Sequence, residues 1–306
     1  MNRGDWCAGR CRFACLLWLA AALCCGPAPA AETVWHPFRG VTYIDREESA
    51  PRPLRMHVVK IDLGASGIGF QVSTPGGSLE TVRQTTLDYL LQEGAQIAIN
   101  AHYFLPWPST GTEASVVGFA ASNGTVYSAF EIPEQSYALA PYAPALNIDD
   151  KNHAGIVHRD PAFADGTHVL EKVKVWNAVA GSAQIVTGGV KTIPEYEPDG
   201  VLKAGKGYSG AKSWYAATNA RSAIGLSRDG QTLVLFTVDA RGGSAGMTVG
   251  EVADVLIADY GVYDALNLDG GGSTTLAMDG RMVNVSSDNP QGRRVGSSLA
   301  VFAARD

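Results

Sequence analysis

Cysteine is missing from almost the whole chain. All five cysteines fall within the first 30 residues, and they are Cys7, Cys11, Cys15, Cys24 and Cys25. The rest of the chain therefore has no disulfide, no thiolate nucleophile and no cysteine-ligated metal site. Its stability must come from a hydrophobic core, and 46% hydrophobic residues in a chain of 306 are enough to build one.

Positive charge is also scarce. Charged residues make up only 18% of the chain, with 24 Lys and Arg against 30 Asp and Glu. Outside the first 30 residues there are 21 basic and 29 acidic residues, which gives a net charge of −8. The sequence contains no basic tract, so we expect neither nucleic acid nor an anionic membrane surface as a partner. Nothing in the sequence indicates a protein partner.

The first 30 residues have the pattern of an export signal. Three arginines precede the apolar stretch Ala14 to Cys25, which is too short to span a membrane. Small residues and prolines follow, with an Ala-x-Ala cleavage site at Ala28 and Ala30. We therefore predict a signal peptide over 1–30 and an exported domain, periplasmic or secreted, over 31–306. The alternatives are an ordinary N-terminal helix or a lipid anchor at a leader cysteine.

Strand patterns dominate the exported part, and its many glycines favour a loop-rich fold over a helix bundle. The strand Met56 to Leu63 is predicted to pair with Gly67 to Ser73. Hairpin turns are predicted at three glycine-containing sites: Ser122–Gly124, Arg228–Gly230 and Asp279–Gly280. Residues 130–176 lack clean periodicity, so we predict a peripheral excursion there. The polar stretch Ile193 to Asn219 is predicted to be a surface loop, with a lid over a site as the alternative.

Two amphipathic helices are predicted. The first runs from Leu79 to Glu93, with Ser78 as its cap and Gly94 as its end. The second begins at a capping box and covers Thr248 to Tyr260. Each helix leads to a strand that ends in polar residues, which hints at two facing halves. The predicted fold class is α+β: one large domain of mixed or antiparallel sheets flanked by a few helices.

A glycine-rich run near the C terminus carries the strongest functional signal. It reads Asn267-Leu268-Asp269-Gly270-Gly271-Gly272-Ser273-Thr274-Thr275. Glycines in series free backbone N–H groups to face a ligand, and they place no side chain in its way. The carboxylate of Asp269 beside them could serve in acid, base or nucleophilic chemistry. The alternative for such a run is a tight turn between two strands.

Other polar residues cluster where predicted strands begin or end. They are Asn100, His102 and Tyr103; Asp239 and Arg241; Arg221; and Arg293 and Arg294. Such carboxylates and arginines suit an anionic sugar derivative, because arginine grips phosphate at two points and carboxylates drive glycosidic cleavage. Alternatively, Asp239 and Arg241 could simply pair with each other. His102 could be a core histidine, and the C-terminal arginine pair could be solvated surface charge.

These motifs, in this order, resemble the phosphodiester glycosidase family. The segments that carry the resemblance are Ala265–Ser273, Ser244–Thr248, Asp239–Arg241, Arg221–Gly225, Arg293–Leu299 and Asn100–Phe104. The last of these replaces both glycines of a family Asn-Gly-Gly-Phe-Phe, so we expect His102 to alter the shape or specificity of the site. The resemblance covers about 177–303 well and 56–104 loosely.

The resemblance implies an exported hydrolase that cleaves the glycosidic bond of a sugar-1-phosphodiester in an envelope or extracellular glycan. We expect Asp269, Asp239 and Arg221 to be catalytic. The expected substrate-binding residues are Asn100, His102, Arg241, Gly270, Gly271, Gly272, Ser273, Thr274 and Arg294. No cofactor is expected; the alternative is a divalent cation shared by Asp239 and Asp269. Two other functions stay open: a non-catalytic protein that binds envelope polysaccharide, and a phosphodiesterase that cleaves the P–O bond.

Overall fold

A computed structural model describes residues 31–108, 110–130, 142–193, 215–285 and 289–305. The predicted signal peptide and most of the stretch proposed as a surface loop or lid lie outside these residues. The strands pair antiparallel throughout the described sheets, in a mostly-β form of the predicted α+β fold. Within this part of the chain, neither helix has the length and apolar character needed to cross a bilayer.

The largest sheet has eight strands. In order across the sheet they are β1 (Ala31–Phe38), β2 (Val41–Glu48), β3 (Leu54–Asp62), β18 (Thr232–Val238), β17 (Arg221–Ser227), β19 (Val262–Asn267), β15 (Ala183–Thr187) and β16 (Val190–Lys191). The hairpin predicted around Arg228–Gly230 is confirmed as the pair β17 and β18.

A second sheet of five strands faces the first. In order they are β21 (Arg281–Met282), β20 (Leu276–Met278), β7 (Ile97–Asn100), β23 (Ser298–Phe302) and β4 (Gly69–Val72). The prediction that Gly67 to Ser73 pairs with Met56 to Leu63 is wrong. Strand β3 is flanked on both edges by β2 and β18, and β4 pairs with β23. The hairpin predicted around Asp279–Gly280 is confirmed.

Another five-stranded sheet and two small ones complete the β structure. The five-stranded sheet consists, in order, of β11 (Thr125–Ser128), β10 (Ala120–Ser122), β14 (Asn177–Ala180), β12 (Ala145–Ile148) and β13 (Ala154–Val157). The small sheets are β5 (Thr81–Val82) with β9 (Glu113–Val116) and β8 (Phe104–Leu105), and β6 (Gln84–Thr85) with β22 (Arg294–Val295). The hairpin at Ser122–Gly124 is confirmed. Leu146 and Ile148, from the predicted excursion, pack in the largest core cluster.

The two helices are α1 (Thr86–Glu93) and α2 (Val249–Ala258). The capping box predicted for α2 is confirmed, as is the end of α1 at Gly94. The predicted start of α1 is wrong. Its N-cap is Thr85, whose side chain accepts from the N–H of Asp88. The preceding residues form two short strands instead, because they find pairing partners elsewhere in the chain.

The core lies in layers, and the period of two along each strand decides which layer a side chain enters. In β18, Leu233 and Leu235 face the cluster between the two large sheets. Val234 and Phe236 face the opposite side, where α2 packs. Helix α1 covers the outer face of the second sheet. The chain therefore crosses between two packed sheets when it runs from β19 to β20, and this crossing is the glycine-rich run.

Candidate active site

The glycine-rich run forms a tight turn between the two large sheets. It contains a short 3-10 turn at Gly271–Ser273. Gly271 has a φ of 59°, in the left-handed region that favours glycine. A Cβ on Gly270 would lie 3.0 Å from the carbonyl oxygen of Ala220, so this position also needs a residue without a side chain. The two glycines let the turn pass close against the chain that enters β17.

Most N–H groups of this turn are used inside the protein. Gly271 donates to the carbonyl of Ala220 at 2.8 Å, and Ser273 donates to that of Gly270 at 3.1 Å. The N–H of Gly270 donates to the carboxylate of Asp269. Within the described residues, the N–H of Gly272 has no such partner. The turn therefore offers a ligand one backbone donor rather than the series expected from the sequence.

Asp269 lies at the wall of a cavity of about 450 Å³. Protein atoms surround its carboxyl group, although part of the residue stays open to the cavity. Loss of hydration raises the pKa of Asp269 from 3.8 to about 7. The side chain of Ser273, the charge of Arg293 and the N–H of Gly270 act in the opposite direction but do not cancel this effect. The group can therefore gain or lose a proton near neutral pH.

The cavity combines positive charge with an aromatic wall. Its described lining consists of Tyr103, Phe104, Trp107, Asn219, Arg221, Asp269, Gly270, Gly271, Gly272, Ser273 and Arg293. Two guanidinium groups thus face one carboxyl group, and no other acidic residue is among the lining residues that the structure describes. A cavity of this size falls within the range of roughly 300–1,000 Å³ typical of ligand pockets. The charge balance favours an anionic ligand.

The two arginines are held differently. Arg221 is almost wholly buried, and its Nε donates to the carbonyl of Met247 at 2.9 Å. Burial lowers the pKa of its guanidinium from the ordinary value. Arg293 is partly exposed and lies over the ring of Trp107, 4.3 Å from its centre, while its Nη1 is 3.4 Å from the hydroxyl of Ser273. Arg221 is thus fixed in the wall, and Arg293 lies at the accessible side.

Asn100 supports the turn from behind and does not line the cavity. Its Nδ2 donates to the carbonyl of Asp269 at 2.6 Å. Its Oδ1 accepts from the hydroxyl of Ser222 at 2.7 Å and from the N–H of Thr275 at 3.0 Å. One side chain therefore fixes both ends of the glycine-rich turn.

His102 lies in the core next to the site. Its Nδ1 is 2.7 Å from the hydroxyl of Ser297, and its Nε2 accepts from the N–H of Ala180 at 3.0 Å. Burial lowers its pKa to about 4, so the ring is neutral near pH 7. This is the environment of the core histidine that the sequence left open as an alternative.

The other predicted site residues lie away from the cavity. Asp239 is fully buried; its carboxylate accepts from Asn284 and from the N–H of Val285, and lies 3.3 Å from His57. Arg241 is exposed. The remaining two residues are an exposed Arg294 in β22 and a buried Thr274 behind the turn. Among the residues described, no three His, Cys, Asp or Glu side chains are grouped as a metal site requires.

Five cavity residues were not among the catalytic or substrate-binding residues expected from the sequence: Tyr103, Phe104, Trp107, Asn219 and Arg293. Of these, Tyr103 and Arg293 had been noted only as members of polar clusters. Tyr103 and Phe104 directly follow the polar end of β7, and Trp107 stands in the proline-rich segment after them. This aromatic segment is the feature of the sequence that could have indicated the wall of the cavity. The sequence alone does not show that Arg293 lines the cavity and Arg294 does not, because this difference arises from the strand pairing of Arg294 in β22.

Comparisons with known proteins concern the family and the fold of this chain. The sequence profile of the family described as phosphodiester glycosidase matches residues 93–302. Human N-acetylglucosamine-1-phosphodiester alpha-N-acetylglucosaminidase is 42% identical over 73 residues, which are 24% of this chain and 14% of that protein. The SPbeta prophage-derived uncharacterized protein YomE of Bacillus subtilis (strain 168) is 29% identical over 225 residues, 72% of this chain and 30% of that protein. The matches thus span less than a third of either relative.

Solved structures share the fold at low sequence identity. The zebrafish N-acetylglucosamine-1-phosphodiester alpha-N-acetylglucosaminidase catalytic domain, auto-inhibited by its pro-peptide, is similar with a TM-score of 0.57 and 18% identity, covering 91% of this chain and 89% of that chain. A putative exported protein from Burkholderia pseudomallei K96243 is similar with a TM-score of 0.62 and 15% identity, covering 90% and 97%. At these identities the likeness concerns the fold alone.

Proposed function

The chain belongs to the phosphodiester glycosidase family, and we propose that it hydrolyses the bond between the anomeric carbon of a sugar and a phosphate oxygen. One observation carries the proposal: a carboxyl group with a pKa of about 7 shares a cavity with two arginines. Asp269, Arg221 and Arg293 all fall inside the region matched by the family profile. The leader-like first 30 residues support an exported enzyme that acts on an envelope or extracellular glycan.

Phosphate binding is the first step that the cavity can perform. A phosphodiester carries one negative charge, and two guanidinium groups against one carboxyl group leave a positive balance for it. Arg293 is the accessible partner, and arginine can grip phosphate oxygens with two parallel hydrogen bonds. The N–H of Gly272 adds a backbone donor. Arg221 contributes a fixed positive charge from within the wall, where low exposure limits screening.

Bond cleavage is the role that we assign to Asp269. As a carboxylate it takes a proton from water, whose oxygen attacks the anomeric carbon, or it attacks that carbon itself before water releases the sugar. Either way the bond from carbon to phosphate oxygen breaks, and its electron pair leaves on the phosphate. The departing phosphomonoester has a second pKa near 6, so it needs little protonation. One carboxyl group at the cavity is then sufficient, whereas ordinary glycosidases use two.

The sugar has suitable partners in the same cavity. Burial raises the pKa of Tyr103 well above its ordinary value, so its phenol stays protonated and can bond sugar hydroxyl groups. Phe104 and Trp107 meet edge to face, with ring centres 5.7 Å apart, and supply an apolar surface. Polar contacts combined with aromatic rings are what a small-molecule site uses to fix orientation.

The product of hydrolysis in oxygen-18 water tests the proposal. The protein is incubated with N-acetylglucosamine-1-phosphodiesters and other sugar-1-phosphodiesters, and each product is analysed by mass spectrometry. We expect the label in the anomeric hydroxyl group and none in the phosphate. Label in the phosphate would instead establish P–O cleavage. Binding of these compounds without turnover would establish a non-catalytic carbohydrate-binding protein.

A further inference from the structure

A second cavity, of about 500 Å³, lies between the N-terminal strands and the β20–β21 hairpin. Its described lining consists of Trp35, His36, Pro37, Tyr43, Asp45, Met278, Asp279, Arg281, Met282 and Val283. It shares no described lining residue with the cavity around Asp269. Its volume also suits a small ligand or part of a larger one.

An aromatic platform forms one side of the second cavity. Trp35 and Tyr43 are cross-strand partners in β1 and β2, and their rings stack with centres 5.4 Å apart and planes 17° from parallel. Trp35 remains 45% exposed although it is a large apolar side chain. Met278 and Met282 line the cavity as well. Aromatic faces beside adaptable methionines suit a flat apolar ligand surface, such as the C–H face of a pyranose ring.

A buried polar chain fixes Tyr43. Its phenol oxygen lies 2.8 Å from Nδ1 of His57, whose Nε2 lies 3.3 Å from the carboxylate of Asp239. A carboxylate only accepts, so Nε2 carries a proton, and in the neutral ring Nδ1 accepts from the phenol. His57 and Asp239 are fully buried, which holds this arrangement rigid. The lone pairs of the Tyr43 oxygen are then left to accept from a ligand hydroxyl group.

The charges around the cavity leave one cation available. Asp45 pairs with Arg55 at 2.8 Å, and Asp279 pairs with Arg305. Arg281 is exposed and forms no ion pair within the part of the chain that the structure describes. Both carboxylates already have a guanidinium partner, so Arg281 is the lining cation that an incoming anionic group can approach. An acidic group on the ligand would find its partner in Arg281.

We infer that the second cavity binds an acidic saccharide, with a pyranose ring on the Trp35–Tyr43 platform and its carboxylate or phosphate at Arg281. This inference does not depend on the proposed hydrolysis, because the two cavities have separate linings. The buried Asp239 thereby acquires a role as the residue that positions Tyr43 through His57.

Calorimetric titration tests the inference, with trigalacturonate and glucose 6-phosphate as acidic probes and maltotriose as the uncharged one. We expect the acidic probes to bind at least tenfold more tightly than maltotriose. Trp35→Ala and Arg281→Gln should each weaken that binding at least tenfold. Val34→Ala is the matched control, since Val34 is the exposed neighbour in β1 and lies outside the cavity lining. It should bind as the unchanged protein does.

Two further variants separate a site from a folding effect. Trp35→Phe keeps an aromatic ring and should retain binding, whereas Asp269→Asn alters only the other cavity and should leave it unchanged. The inference is overturned if neither acidic probe binds, or if maltotriose binds equally well. It is also overturned if binding survives both Trp35→Ala and Arg281→Gln, or is lost in Asp269→Asn instead.

Discussion

Two aspartates that follow strands of the same sheet have opposite surroundings. The carboxylate of Asp239 is fully buried and is surrounded by three donors, from His57, Asn284 and Val285. The carboxyl group of Asp269 borders a cavity, and burial raises its pKa to about 7. Both follow an apolar strand and precede small residues, so their sequence contexts are alike.

From this difference we infer that hydrogen bonding and access to the cavity set the roles of the two carboxylates. A fully buried carboxylate that accepts several hydrogen bonds and lies outside the cavity lining, as Asp239 does, stabilises the structure around it. One that is desolvated but still open on one side can exchange a proton with a reacting group near its pKa. On this basis we assign chemistry to Asp269 and positioning to Asp239.

The pH dependence of turnover should follow Asp269. Both roles assigned to it require the ionised form, which becomes about tenfold scarcer for each pH unit below a pKa of about 7. We expect kcat/KM to be about 100-fold lower at pH 5 than on the plateau above pH 8. The same inflection should persist in Asp239→Asn. A profile that is flat from pH 5 to 8, or that falls as pH rises, would contradict the assignment of the reacting carboxylate to Asp269.

The adjacent arginines offer a matched pair of substitutions. Arg293→Gln removes an accessible charge from the cavity, and hydrogen bonds to charged groups contribute about 1.5–3 kcal/mol, so kcat/KM should fall at least about tenfold. Arg294→Gln changes an exposed residue of β22 and should stay within about twofold of the unchanged enzyme. Steady-state kinetics on one sugar phosphodiester measures both. Equal losses of kcat/KM in the two variants would contradict the placement of Arg293, and not Arg294, at the substrate.

The pH dependence of folding stability should also reflect the ionisation of Asp269. The pKa of Asp269 in the folded protein lies above its ordinary value of 3.8. Between about pH 4 and 7 the folded protein therefore holds a proton on Asp269 that the unfolded chain has released. Stability relative to Asp269→Asn is therefore greatest below pH 4 and declines as pH rises through 7. We expect the free energy of unfolding to decline by about 1–2 kcal/mol. A shift of one pKa unit corresponds to about 1.4 kcal/mol, but solvent in the cavity screens the charge and makes the decline smaller than the full shift implies. Urea unfolding of both proteins at several pH values measures it; a constant difference would contradict the shifted pKa.

Local signals in the sequence predicted local structure well. The capping box of α2, the end of α1 at Gly94 and the three hairpin turns depend on residues a few positions apart, and all are confirmed. The partner of β4 and the start of α1 were wrong because distant strands decide them. The same limit applies at the site. The sequence locates the Asp269 turn, but only long-range packing distinguishes the surroundings of Asp239.

The most direct measurement compares Asp269→Asn with Asp239→Asn in one assay of sugar-phosphodiester hydrolysis, with each rate divided by the folded fraction. For Asp269→Asn we predict a loss of about 10²–10⁴ in kcat with a melting temperature equal to that of the unchanged protein or slightly above it. For Asp239→Asn we predict a loss of stability of about 1–3 kcal/mol, as expected when buried hydrogen bonds are disturbed, and near-normal turnover of the folded molecules. Full activity in Asp269→Asn, or a stable but inactive Asp239→Asn, would contradict the assignment of the reacting carboxylate.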